Sequence, residues 1–365
     1  MHQLVGELPD LFEFSDGKRV RTVEDWQKRR EELQELILSV EYGHLPPEPA
    51  GVRAELLHPT VMRRLGQFPH FQYRLHIEGG GQPFWFIVDV LLPETEGRFP
   101  VIMDGDMCWG QLRDEVILDV MARGYALVTF NRTEIVPDAY RSERDAGLYL
   151  VYPEGDFGAI AAWAWGYHRV ADFLLTQEFT DPERLAVTGH SRGGKTVLLA
   201  GATDERIALT APNNSGCGGA GCYRWRGEGA ETIEDITRSV PYWFAAGFAD
   251  FVDREDQLPF DQHGVKALVA PRALLSMEAL GDVWANPTGT YQTFDAAREL
   301  YRFLGVEERI GITFREGEHA HGPDDWRTFL DFADWQFRSI QPTRRFDENP
   351  FPEMERAFSW SAPEA

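Results

Sequence analysis

The heptapeptide Gly189-His190-Ser191-Arg192-Gly193-Gly194-Lys195 follows directly on the apolar run Leu185-Ala186-Val187-Thr188 and leads into TVLLAGA at residues 196–202. A serine at the tip of a glycine-flanked turn between a strand and a buried helix is a nucleophile elbow. The turn is so sharp that Cβ atoms at Gly189 and Gly193 would collide with the neighbouring strand or helix. The helix behind it points free N–H groups at the serine and favours negative charge there. Such a serine attacks a carbonyl carbon once a base takes its proton, and the base must be held in one tautomer by an acid. Asp282 stands where the acid is expected, on the loop Glu278-Ala279-Leu280-Gly281-Asp282 after a strand at 273–277. His319 is the expected base, on the loop Arg315-Glu316-Gly317-Glu318-His319-Ala320-His321 after a strand at 310–314. His321 is the rival base. A histidine pair of this spacing also suits a metal, but no Cys or third His lies nearby to complete a ligand set.

These side chains converge only if the strands that end beneath them lie side by side. Thr22 with Asp25 reads as the cap of an opening helix that stops before Gly43 and Pro46. Strand-like runs at 52–57, 71–77 and 84–92 predict an antiparallel edge. From there strands at 101–103, 125–130, 185–188, 207–210, 273–277 and 310–314 alternate with helical stretches at 111–123 and 158–175 and beyond, which predicts a mostly parallel sheet covered on both faces. Order serine, acid, histidine on successive strand ends is that of the α/β-hydrolase fold, a three-layer α/β sandwich. The expectation is one domain over 1–365, with the N-terminal helix and edge strands in 1–80, an insertion over the strand ends at 213–266, and a loosely held C-terminal extension at 341–365. His168, His190 and His263 read as structural, His190 also as floor of the site. Arg192 N–H is one oxyanion donor, and a second is expected from the loop Asp104-Gly105-Asp106-Met107. Trp225, Trp243 and Trp284 offer flat apolar faces to a ligand or pack in the core, and Arg224 and Arg226 read as surface ion-pair partners.

Composition narrows the partners. With 36 Lys and Arg against 59 Asp and Glu the net charge is −23, so nucleic acid is repelled. No stretch of about 20 apolar residues is present, so no membrane span is expected. The acidic N-terminal stretch carries no export signal, and three cysteines, Cys108, Cys217 and Cys222, include no CxxC pair. Both features place the chain in the cytoplasm, or in the mature form of a secreted protein; Cys217 and Cys222 pair only if oxidised. No metal and no organic cofactor is called for.

The elbow and its surroundings resemble the glucuronoyl esterases, carbohydrate esterase family 15, in its bacterial form. The resemblance runs over residues 9–340 through LPDLF, AAWAWG at 161–166, GHSRGGK, NNSGCGGA at 213–220, PYWF at 241–244, LPFDQH at 258–263, APR at 270–272 and DVWANP at 282–287. It implies a serine carboxylesterase acting on esters of glucuronic or 4-O-methylglucuronic acid, small or carried on an oligosaccharide. Ser191, Arg192 and His319 then match nucleophile, oxyanion helper and base, and Lys195 and Trp284 match positions that contact the sugar acid. One departure is visible: many members, notably fungal ones, carry the catalytic acid as Glu where this chain has Asn214, so the role passes to Asp282. The competing readings are a carbohydrate acetyl esterase with the same catalytic residues, and a hydrolase-shaped protein that binds a glycan or partner without turnover.

Overall fold

Apolar residues alternating with the pleat decide which face each strand buries, and the computed structural model, which describes residues 3–139 and 144–363, joins nine such strands in one sheet. In chain order they are β1 Gly51–Met62, β2 Phe68–Glu78, β3 Phe84–Leu91, β4 Phe99–Asp104, β5 Ala126–Phe130, β6 Thr180–His190, β7 Ile207–Asn213, β8 Ala273–Ala279 and β9 Ile310–Arg315. Across the sheet the order is β1-β2-β3-β5-β4-β6-β7-β8-β9. Strands β4 to β9 run parallel, and β1 to β3 form the antiparallel edge that the sequence predicts. Strands β1 and β2 outrun their expected lengths because they form one ribbon, laddered from Gly51↔Glu78 to Met62↔Phe68. Polar residues fill the solvent side of that ribbon, so hydrophobic pattern alone under-reads it.

The helices are α1 Val23–Ile37, α2 Asp114–Ala122, the single turn α3 Leu148–Val151, α4 Ala159–Leu174, α5 Arg192–Thr203, α6 Ile233–Ser239, α7 Gln262–Val269, α8 Pro287–Phe303 and α9 Pro323–Arg338. Thr22 caps α1 through a reciprocal capping box with Asp25, a device worth about 1 kcal/mol. On one face, residues of α1, α4, α5, α7 and α8 share a core with Val101, Met103, Leu185 and Val187. On the other, α2 and α9 pack on Ile102, Ala186, Leu275 and Met277. Alternate residues of β4 and β6 thus feed opposite layers, as a sheet buried on both sides requires. Helix α4 is buried almost throughout its length because α5, strand β1 and the 3₁₀ turns Arg132–Glu134 and Pro241–Trp243 all pack against it.

Two boundaries differ from the sequence reading. The segment read as an insertion at 213–266 is shorter, since Asn213 closes β7 and residues from Gln262 onward form α7, a sheet-covering helix packed on α5 and α8. The tail beyond Gln341 is fastened, not loose. Phe346 sits 4.8 Å from Phe332 ring to ring and its carbonyl accepts from Ile312 N, while Ala357 and Phe358 are buried. Ala357 N donates to Gln292 Oε1, and Trp360 Nε1 donates to Leu8 O. Prolines and charges disguise the aromatic anchors spaced among them.

Candidate active site

Strand β6 enters the elbow with Ser191 at φ 54°, ψ −120°, a conformation that non-glycine residues adopt only under constraint. The constraint is visible: Ser191 N donates to Asn213 O and Lys195 N to Ser191 O, both at 3.0 Å. A Cβ on Gly189 would lie 2.7 Å from Gly193 O, and one on Gly193 would strike the Asp106 carboxylate. That carboxylate is an unforeseen part of the site. Asp106 Oδ2 accepts from His190 N at 2.8 Å and Oδ1 from the buried guanidinium of Arg132, so the elbow is fastened from below. The loop expected to supply a second oxyanion donor therefore does something else in part. Its Gly105 N–H is committed to Tyr167 Oη and its Asp106 N–H to Asp104 Oδ1. Burial, and then the neighbouring Asp106, pushes Asp104 up to about 8, and burial also raises Asp106.

At the ends of β8 and β9 the structure brings Asp282 and His319 together. Asp282, 5% exposed, places Oδ2 2.5 Å from His319 Nδ1, whose side chain is 42% exposed. With Nδ1 donating to the carboxylate, Nε2 is left as the acceptor. The imidazole of His319 lies 4.3 Å, centroid to centroid, from that of His190, the residue before Ser191. His321 is turned inward instead, stacked 5.4 Å from Trp326, with burial lowering it to about 3. Burial, with the adjoining His319 charge second, lowers His190 to about 4, so it stays neutral beside the site. Its Nδ1 lies 2.7 Å from Asn213 Oδ1.

The first turn of α5 lines the other side. Arg192 Nη1 donates to Asp138 Oδ2 at 2.8 Å, and the guanidinium lies 4.8 Å over the Trp243 ring. Asp138 also accepts from Tyr242 Oη and Trp243 Nε1. Burial opposes its charge, but these donors, Arg192 foremost, hold it below the usual carboxylate range. Lys195 is buried, donates to Ser215 O at 2.5 Å, and has Glu231 Oε2 at 3.8 Å. Glu231 is raised by burial, and its backbone N donates to Trp284 O at 3.0 Å. Trp284 is half exposed beside it. Trp225 and Trp243 are buried packing residues, which leaves Trp284 as the open face of the three. Arg224 is likewise not at the surface: it is buried against Asp261 Oδ2 and the carbonyls of Phe260 and Leu258. Arg226 is mostly buried beside Glu255. Glu231, Asp138 and Asp106 escaped sequence reasoning because no motif marks them; the buried cations Lys195 and Arg132 and the half-buried Arg192 are what require counter-charges. Among the described residues no group of three or more His, Cys, Asp or Glu is placed to hold a metal, and no helix is long and apolar enough to cross a membrane.

A family model described as "Glucuronyl esterase, fungi" matches residues 75–305, the span from the edge strands through α8. The chain belongs to the glucuronoyl esterase family. The family expected from the elbow is thus the one found, and so is the α/β-hydrolase architecture. A 4-O-methyl-glucuronoyl methylesterase of Podospora anserina is 34% identical over 87% of this chain. The chain spans 64% of that relative's length. A carbohydrate esterase from an unknown prokaryotic organism is 32% identical over 90% of this chain and 89% of its own. Among solved structures, a carbohydrate esterase family 15 glucuronoyl esterase from Caldicellulosiruptor kristjansonii superposes with a TM-score of 0.86 at 32% identity, covering 98% of this chain and 97% of that one.

Proposed function

We propose that this glucuronoyl esterase family member hydrolyses esters of glucuronic or 4-O-methylglucuronic acid through an acyl-enzyme on Ser191. Ser191 Oγ attacks the ester carbonyl carbon while His319 Nε2 takes its proton, and Asp282 steadies the imidazolium. The tetrahedral oxyanion faces Arg192, whose backbone N–H opens α5 and whose guanidinium adds positive charge. His319 then returns the proton to the leaving alcohol oxygen, the C–O bond breaks, and the alcohol departs. Water, deprotonated by His319, attacks the acyl carbon; collapse releases the uronic acid and restores Ser191 Oγ–H.

The observation that carries the uronate reading is the ammonium of Lys195 and the carboxylate of Glu231, buried together one helical turn from Ser191 with Trp284 open beside them. A wall of one donor, one acceptor and one aromatic face matches sugar hydroxyls on a pyranose plane and gives an acetyl methyl nothing to bind. The names of the Podospora anserina relative and of the Caldicellulosiruptor kristjansonii structure support the same substrate class. Cys108, Cys217 and Cys222 are free thiols, which suits a reducing, cytoplasmic setting and short uronate fragments. The test compares kcat/KM for methyl glucuronate with that for 4-nitrophenyl acetate. Preference for the uronate by a factor of about ten or more is expected, and preference for the acetate overturns the reading in favour of an acetyl esterase.

A further inference from the structure

We infer that Asn214 is a positioning residue whose carboxamide ties the strand end leading to Asp282 to the loop that carries His319. The inference rests on the triad reading above and extends it to a side chain outside the triad. Asn214 Oδ1 accepts from Ala279 N at 2.7 Å, and Asn214 Nδ2 donates to Ala320 O at 3.2 Å. Ala279 ends β8, and its carbonyl receives the N–H of Asp282 at 3.1 Å. Ala320 follows His319. One buried amide therefore bridges the strand end before the acid loop and the base loop.

The two partners are a backbone donor and a backbone acceptor, so the bridging side chain must accept at one atom and donate at another. An amide does both. A carboxylate loses the donating arm and sets a negative oxygen against the Ala320 carbonyl, and a hydroxyl is too short to span both. The backbone selects the same residue independently: Asn214 has φ 42°, in the left-handed region that Asn tolerates better than other side-chain-bearing residues. Asn214 N also donates to Met277 O at 2.9 Å, which fixes the turn leaving β7 against β8. From the other side Arg315 Nη2 reaches Ala320 O at 2.7 Å and Glu318 O at 3.2 Å, but Arg315 belongs to the base's own strand. Asn214 supplies the tie to the acid's side. Position 214 thus holds, in this chain, the clamp that sets the Asp282 and His319 loops against each other.

The clean variant is Asn214→Gly, because glycine keeps the left-handed backbone without strain while deleting both arms. Small displacements of reacting groups cost up to about 100-fold, and a fall in kcat of about tenfold on methyl glucuronate is expected. KM stays within about twofold and Tm within a few degrees, a split that loss of packing alone does not produce. The rate constant for labelling of Ser191 by a fluorophosphonate falls in parallel. Asn214→Asp, which keeps the accepting arm and loses the donating one, shows at least the same loss and serves if the glycine variant does not fold. A folded Asn214→Gly or Asn214→Asp protein that labels and turns over within twofold of wild type overturns the clamp. A wild-type protein that labels but leaves uronate esters intact sinks the substrate reading alone, with labelling rates still judging the clamp. A wild-type protein that does not label sinks the triad and the clamp with it.

Discussion

The loops that bear Ser191, Asp282 and His319 and the segment that covers them, residues 214–260, are held in place by different means. The first are set by the sheet: each sits within a few residues of a parallel strand end, and its contacts are short-range or run to the neighbouring strand, as in Ser191 N to Asn213 O. The cover has little regular structure and is held by buried polar pairs distant in sequence. Glu41 accepts from Tyr223 Oη at 2.5 Å and from Gln262 Nε2 at 2.7 Å, Arg224 meets Asp261, and Asp138 gathers Arg192, Tyr242 and Trp243. Ser191, Asp282 and His319 are therefore placed chiefly by backbone topology, with the Asn214 amide and the Asp106 carboxylate as added ties, and the cover is placed by a network of side chains. The two regions meet on one turn of α5, where Arg192 and Lys195 belong to the elbow by position and to the cover by contact.

The largest expected difference between the regions is in what truncation costs. Ser191→Ala or His319→Ala lowers kcat on methyl glucuronate by about 10⁴-fold to 10⁶-fold, because either change stops proton transfer. Lys195→Ala, on the cover side, lowers kcat/KM for the uronate by about 100-fold and for 4-nitrophenyl acetate by much less, since it removes the donor proposed for the sugar and leaves Glu231 without its cation. Steady-state kinetics on both substrates checks each; equal losses on the two esters would erase the division of labour.

A smaller effect separates the regions by pH. His321 behind the triad is lowered from 6.5 to about 3 by burial, so the unfolded chain takes up a proton first as pH falls. Its contribution to stability is complete above about 6.5 and drains away toward about 3. Glu41 beneath the cover is raised from 4.5 to about 8, burial being the main cause. Its contribution is complete below about 4.5 and is lost as pH climbs to about 8. Measured by thermal melts, the Tm advantage of wild type over His321→Phe shrinks on acidification, and that over Glu41→Gln shrinks on alkalinisation. Slopes of the same sign would contradict the burial assigned to one of the two.

What could be read from the chain follows the same division. The elbow and the meeting of Asp282 with His319 were legible because strand, tight turn and helix announce themselves locally, and because a fixed order of loops singles out those two residues. The length of β1 and β2, the fastening of the tail by Phe346 and Trp360, and the burial of Arg224 were not, since each depends on a partner remote in sequence. Glu231 lies in the glycine-rich stretch Gly227-Glu228-Gly229-Ala230-Glu231 with no periodicity to place it, and only the buried charge of Lys195 demanded it. Asn214 was read for the carboxylate it lacks, whereas its amide contacts appear only once β7, β8 and the histidine loop are adjacent.

The central claim is that Asp282, not the position of Asn214, serves as the acid of the triad. Turnover of methyl glucuronate by Asp282→Asn tests it most directly, because the change preserves shape and removes the charge that holds His319 in its tautomer. A fall in kcat of about 10⁴-fold with the fold intact is expected. An Asp282→Asn protein that keeps wild-type turnover would contradict the account.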